Sequence, residues 1–233
     1  MKLTHGLAAI GLTLAAAAAH ADITGTVTAV SDYDFRGITQ TAQDPALQGS
    51  IDYTHSSGFY LGAWGSNVDF GDCCDENVEV DVYAGFRGGE TVTYDVGLIY
   101  YTYPGADSIN YPEIYAGLGY KWISGKIWYS NDFGNGDESA IYYEANAAVP
   151  LPANFAASAH VGHSDGNYWD RYYGGGYTDW NVGVTYTLGN FVLGLKYIDG
   201  SDLKPANDTP NDVGSSDARA VFSVSTTFPW KKE

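Results

Sequence analysis

Val78-Glu79-Val80-Asp81-Val82-Tyr83-Ala84-Gly85-Phe86-Arg87, then Gly88-Gly89-Glu90, then Val92-Thr93-Tyr94-Asp95-Val96-Gly97-Leu98: two runs with a period of two are joined by a tight glycine-bearing connection. Successive side chains of a strand point to opposite faces, so each run has one apolar face and one face of charge, hydroxyl or glycine. The stretch is therefore a pair of antiparallel strands. The same alternation recurs in Trp180-Asn181-Val182-Gly183-Val184-Thr185-Tyr186-Thr187, in Phe191-Val192-Leu193-Gly194-Leu195-Lys196-Tyr197, and from Arg219 to Phe228.

Working outward from this hairpin, strands are expected near 23–37, 46–55, 58–68, 77–88, 91–102, 112–121, 124–132, 139–149, 154–163, 177–187, 190–199 and 217–228, an even set of about 12. Two stretches, Phe59 to Trp64 and Ile127 to Tyr129, alternate too poorly to assign faces. The connections fall into two classes. Those after even-numbered strands are tight: Ser56-Ser57-Gly58, Gly88-Gly89-Glu90, Ile123-Ser124-Gly125, Pro150-Leu151-Pro152-Ala153 and Leu188-Gly189-Asn190. Those after odd-numbered strands are longer and acidic: 38–45, 69–76, 103–111, 132–138, 164–177 and 200–216. Short turns at one end and long loops at the other are the layout of an all-β, transmembrane, antiparallel up-and-down barrel with periplasmic turns and extracellular loops.

Composition agrees. The chain has 233 residues, 45% hydrophobic, 15% aromatic and 17% charged, with 29 Gly, 20 Tyr and a single Met, which is strand and turn material rather than that of a helical bundle. After the first twenty or so residues no stretch approaches the roughly 18 apolar residues of a spanning helix. The net charge of -17 repels phosphate backbones, so no nucleic-acid partner is expected. A soluble barrel would place Lys and Glu on its polar face; here that face is Gly, Ser, Thr, Asn and scattered charge, which suits a lumen. Aromatic residues toward strand ends (Tyr53, Phe59, Tyr60, Tyr100, Tyr101, Tyr103, Tyr120, Trp122, Trp128, Trp180, Tyr197, Phe228, Trp230) are expected as interface girdles.

The opening, with basic Lys2, an apolar stretch from Leu7 to Ala19 and the small-x-small ending Ala19-His20-Ala21, has the form of a secretory signal peptide. The organisation expected is a signal peptide at 1–21 and one barrel domain at 22–233. Cys73 and Cys74 are adjacent, so they close no stabilising framework and are expected as loop thiols or one strained vicinal bridge.

The stretch Val30-Ser31-Asp32-Tyr33-Asp34-Phe35-Arg36-Gly37-Ile38-Thr39-Gln40-Thr41 resembles the opening of the TorF family of porins of Gram-negative bacteria. Similar blocks follow in order: Pro45-Ala46-Leu47-Gln48-Gly49, Ser57 to Val68, Tyr100-Tyr101-Thr102-Tyr103-Pro104-Gly105-Ala106 and Glu113-Ile114-Tyr115-Ala116-Gly117. The resemblance spans essentially all of 22–233. It implies an outer-membrane barrel of porin type without a known substrate, and it carries over no catalytic or ligand residues. Outer-membrane barrels commonly end in an aromatic residue read by the barrel-assembly machinery; here Phe228 is followed by Pro229-Trp230-Lys231-Lys232-Glu233.

With the apolar face toward lipid, strand 1 sends Asp32, Asp34 and Arg36 inward, and the same logic sends Asp52, Glu79, Asp81, Arg87, Asp95, Glu113, Lys121, Glu144, Lys196 and Arg219 inward. This lining is mixed but dominated by acids. Charge in a narrow pore acts at reduced dielectric and selects ions by sign, so the expected function is a passive, weakly cation-preferring channel for small hydrophilic solutes. Alternatively the same charges pair into a network that fills the lumen, since an interior of this strand number lies between packed and open barrels. The protein is then a closed barrel whose acidic loops form a surface interaction module.

An outer-membrane hydrolase is a third reading, resting on His160-Val161-Gly162-His163-Ser164-Asp165. It is weakened because His160 and His163, three apart in a strand, face opposite sides, and no nucleophile motif accompanies them. The acidic loops 132–138 and 199–217 offer oxygens to divalent cations, which could bridge to lipopolysaccharide phosphates. Gly136 occupies the third-ligand position of a calcium loop, so solvated carboxylates are the expectation. No cofactor or metal is called for. The expected partners are outer-membrane lipid and lipopolysaccharide, small solutes and the barrel-assembly machinery; a homo-oligomer is compatible with the sequence, which shows no interface.

Overall fold

The computed structural model describes residues 22–71, 77–201, 203 and 212–230. The signal-peptide expectation at 1–21 and the Cys73-Cys74 pair lie outside the described residues. Twelve antiparallel strands close a barrel: β1 (Asp22–Val30), β4 (Ala46–Thr54), β5 (Phe59–Asn67), β6 (Val78–Gly88), β7 (Val92–Thr102), β8 (Tyr111–Tyr120), β9 (Ile123–Ser130), β10 (Ala140–Pro150), β11 (Phe155–Asp165), β12 (Tyr177–Leu188), β13 (Phe191–Gly200) and β14 (Arg219–Phe228). Two short strands, β2 (Asp34–Phe35) and β3 (Ile38–Thr39), pair only with each other and stand apart from the wall. The first and last wall strands meet at a seam running from Gly25↔Phe228 to Val30↔Ser223. Closure leaves no unpaired strand edge.

Alternation sorts the side chains between the two faces of the wall. Outward go Ile23, Leu47, Ile51, Leu98, Ile114, Leu118, Ile123 and Leu195, each 51–64% exposed. An apolar belt of this extent suits hydrocarbon and not water. Outward aromatics form two rows: Tyr94, Tyr120, Trp122, Phe155, Phe191, Phe228 and Trp230 at the turn end, and Tyr100, Tyr129, Tyr143, Trp180 and Tyr197 at the loop end. Trp230 stacks on Phe228 with ring centroids 4.9 Å apart and caps the seam at the turn end.

Three sequence expectations change. The first strand ends at Val30, not at 37, and the chain then turns into the barrel. The turn between β8 and β9 is Lys121-Trp122 rather than 123–125. Lys121 therefore sits exposed in that turn, at φ +53° with its ammonium over the Tyr120 ring, and does not line the interior. Tyr60, Tyr101, Tyr103 and Trp128 do not belong to girdles; they are buried inside. Interior glycines on neighbouring strands give such rings room: a Cβ on Gly85 would lie 2.5 Å from the Tyr60 hydroxyl, and one on Gly162 would collide with the Tyr142 hydroxyl.

Candidate functional site

Residues 31–45 leave the wall and enter the lumen. The departure is tied to the last strand: the Ser31 N–H donates to the Phe222 carbonyl (2.8 Å), and the Phe222 N–H donates to the Ser31 hydroxyl (2.9 Å). Asp34 then pairs with Thr39 and Phe35 with Ile38, leaving Arg36-Gly37 as a two-residue turn. Both turn residues have positive φ, +53° and +84°, the signature of a type I′ hairpin. An arginine in the left-handed region is disfavoured and persists where its surroundings determine it.

At the root of the hairpin, Arg219 of β14 donates from Nε to Asp32 Oδ2, from Nη2 to Asp34 Oδ1 (2.6 Å) and from Nη1 to the Gly37 carbonyl (3.0 Å). The Thr39 hydroxyl donates to Asp32 Oδ1, and the Tyr33 N–H donates to the Thr41 hydroxyl (3.1 Å). Asp32, Thr39 and Thr41 are all buried. Burial pushes the Asp34 carboxyl up to about 6, against the pull of the Arg219 guanidinium. Burial also lifts the Tyr33 phenol well above its ordinary value.

The tip crosses the lumen to the far wall. Arg36 donates Nη1 and Nη2 to Glu113 Oε1 and Oε2 of β8 (3.0 and 2.7 Å), a buried bidentate pair. Its guanidinium lies over Tyr142 (4.4 Å to the ring centroid) and Phe35 (4.7 Å), and the Tyr101 hydroxyl donates to Glu113 Oε2 (2.9 Å). The Tyr177 hydroxyl donates to the Arg36 carbonyl (2.9 Å). Gly37 abuts Asp179 of β12 so closely that a Cβ would come within 2.6 Å of the Asp179 Cβ. Asp179 in turn meets His160 Nε2 (2.9 Å) and accepts from the Tyr142 hydroxyl (3.0 Å).

Above the hairpin the loops add a second layer. Tyr101, Tyr103, Tyr111, Phe133, Trp169 and Tyr177 form a buried aromatic cluster against which Phe35 and Ile38 of the hairpin pack. Trp169 comes from the seven-residue helix α1 (Asn167–Tyr173) in the loop after β11.

Below the hairpin the charges are held by aromatics. Lys126 pairs with Asp95 (2.8 Å) and lies over the rings of Tyr115 and Trp128 (4.4 and 4.8 Å). The Tyr60 hydroxyl donates to Asp95 Oδ1 (2.6 Å). Glu144 accepts from Trp128 Nε1 (2.9 Å) and Asn146 Nδ2 (3.1 Å), while Asp52 accepts from Tyr83 and from Ser50 (2.8 Å). Arg87, near the turn end, donates to the Thr54 hydroxyl (2.8 Å). Lys196 faces inward, half-buried, and among the described residues it has no carboxylate within ion-pair distance.

Of the residues that the sequence sends inward, the structure gathers Asp32, Asp34, Arg36, Glu113 and Arg219 around one hairpin. It sets Asp52, Glu79, Asp81, Arg87, Asp95, Glu144 and Lys196 on the wall, and it leaves Lys121 outside. The interior residues missed by sequence are Lys126 and Asp179. Lys126 directly precedes Ile127 to Tyr129, one of the two stretches where alternation is obscured, because Trp128 puts an aromatic ring on the inner face beside it. Asp179 could have been found, since it shares a face with Asn181 and Gly183 opposite Trp180, Val182 and Val184. Ser164 is fully buried near Tyr177, and no hydrogen bond joins it to His160, so the His–Ser pair of the hydrolase reading is not assembled.

A family model described as "Bacterial protein of unknown function (Gcw_chp)" matches residues 14–228. No curated protein matches the sequence. Among solved structures, a NanC porin aligns with TM-score 0.57 at 10% identity, over 89% of this chain and 99% of that one. A KdgM porin aligns with TM-score 0.55 at 9% identity, over 89% and 99%. A KdgM porin in complex with disordered oligogalacturonate aligns with TM-score 0.53 at 10% identity, over 90% and 99%. At such identities the likeness is one of fold: a closed twelve-strand antiparallel barrel.

Proposed function

Because this chain belongs to the Gcw_chp family of bacterial proteins and closes as a porin-like barrel, we propose that it is a passive channel of the Gram-negative outer membrane. In this reading the turn end faces the periplasm, the loop end faces outward, and small hydrophilic solutes pass along a path narrowed by the 31–45 hairpin. The blocks resembling TorF porins agree with it. The observation that carries it is the division of the wall: apolar outside, ionisable and hydroxyl-bearing inside.

A weak cation preference follows from the surplus of inward carboxylates. On the inner face Asp32, Asp34, Asp52, Glu79, Asp81, Asp95, Glu113, Glu144 and Asp179 outnumber Arg36, Arg87, Lys126, Lys196 and Arg219, and of the carboxylates that are not fully buried Asp52 and Glu144 have no Arg or Lys partner among the described residues. Unpaired negative charge in a low-dielectric passage favours cations. The test is single-channel current of the refolded protein in a planar bilayer under a salt gradient. Stable steps with a cation-selective reversal potential are expected, and neutralising Asp52 and Glu144 should reduce that selectivity.

A second reading is a closed barrel whose loops act as a surface interaction module. The aromatic layer over the hairpin favours it, because that layer leaves the loop half of the interior filled. Silence from protein shown to be folded and inserted would decide for this reading.

A further inference from the structure

Glu79 and Asp81 stand two residues apart on the inner face of β6, 1% and 4% exposed. Glu79 Oε2 and Asp81 Oδ1 are buried without any hydrogen-bond partner. Glu79 Oε1 accepts one long bond from the Tyr103 hydroxyl (3.4 Å). Two buried carboxylates side by side are strongly unfavourable unless one of them takes a proton or something positive reaches them. Among the described residues the arginines of this half are committed elsewhere: Arg36 to Glu113, and Arg219 to Asp32 and Asp34.

The surroundings supply oxygen and aromatic groups. Tyr33 of the inward segment lies close to both acids and packs on Trp64 (ring centroids 5.2 Å), and in the sheet Trp64 is the partner of Asp81 and Ser66 the partner of Glu79. Among the described residues no third His, Cys, Asp or Glu joins the pair, so the donor set is not that of a zinc or copper site. Carboxylate and hydroxyl oxygens without nitrogen or sulfur select hard cations.

We infer that Glu79 and Asp81 bind a hard cation of the calcium class between β6 and the inward segment, tying Tyr33 and its neighbours to the wall. The inference goes beyond conduction and is measurable on a barrel that passes no current. Terbium(III) is the probe, because Trp64, Tyr33 and Tyr103 are placed to sensitise its emission. Protein refolded in detergent, its folded state checked by the heat-dependent shift of its gel band, should show sensitised emission that calcium displaces. Glu79→Gln and Asp81→Asn should each remove that component or raise its apparent dissociation constant at least about tenfold. Asp137→Asn, in a loop away from the pair, should leave it unchanged.

Equal emission and an equal calcium midpoint in Glu79→Gln and Asp81→Asn would overturn the assignment, and so would the absence of any calcium-displaceable emission. An infrared band of a protonated carboxyl that calcium does not move and Asp81→Asn abolishes would put a shared proton in the cation's place and overturn it as well. Both substitutions keep side-chain volume and remove a buried charge, so the variants are expected to fold.

Discussion

The loop half and the turn half of the barrel interior are built from the same strands with the same alternation, yet they differ in kind. In the loop half, Asp32, Glu79, Asp81, Glu113, Asp179 and Arg219 are all buried, under a hairpin and an aromatic layer. In the turn half, inward positions carry small hydroxyls such as Thr24, Thr26, Ser124, Ser158, Thr185 and Ser223, all partly exposed. Alternation decides which face a residue occupies, but whether that face is wet depends on what enters the lumen. The contrast comes from one segment of the chain, residues 31–45, and is therefore open to mutation.

The largest effect is expected from Arg219→Ala. It leaves buried Asp32, and partly buried Asp34 beside it, without their cation, a loss of about 3–5 kcal/mol. Unfolding in urea should show the lower midpoint, and bilayer recordings a larger conductance as the hairpin root is released. Gly37→Ala should come next, at about 1–2 kcal/mol for the left-handed conformation, with a further cost for the approach to Asp179. Its signature is a rise in conductance with a smaller loss of stability than Arg219→Ala causes.

The third effect is a pH dependence. The Asp34 carboxyl, raised from 3.8 to about 6 in the folded protein, keeps its proton after the unfolded chain has lost it. Its stabilising contribution is thus full below 3.8 and is lost as pH rises through about 6. Urea midpoints between pH 4 and 7 should fall on this account, and Asp34→Asn should flatten that part of the profile. The smallest effect on stability is expected in the turn half: Arg87→Gln, at an exposed position whose side chain donates to Thr54, should change it by no more than about 0.5 kcal/mol while moving the reversal potential further toward cations. A large loss of stability in that variant would erase the distinction between the two halves.

The wall strands were legible because period-two alternation and two classes of connection are local properties. The inward hairpin was not. Asp32, Asp34 and Arg36 continue the alternation of β1 in sequence, although the chain bends at 31–32 and turns at Arg36-Gly37. What turns it inward is Arg219, 187 residues away in sequence, together with Glu113 across the lumen. The inward direction of these three side chains was therefore anticipated from a strand that does not exist beyond Val30.

Lys121 failed for a local reason: the turn begins two residues earlier than the Ser-Gly pair at 124–125 implies. The buried tyrosines failed for a third. Of the rings expected at the lipid interface, Tyr60 lies inward over Gly85 and Tyr101 and Tyr103 join the buried aromatic cluster; Tyr83, Tyr115 and Tyr142, not expected in the girdles, likewise lie along the inner wall over Gly62, Gly97 and Gly162. A glycine at an inward position beside an inward tyrosine on the next strand is a signal that the sequence does contain.

Arg219 and Phe222, which fix the root of the hairpin, belong to the final strand of the barrel. Although residues 31–45 come early in the chain, the Arg219 and Phe222 contacts at their root can form only once the C-terminal strand has closed the seam with β1. The obstruction of the passage is thereby made contingent on completion of the wall: a chain truncated before β14 forfeits not only its closure but also the lock on its own interior.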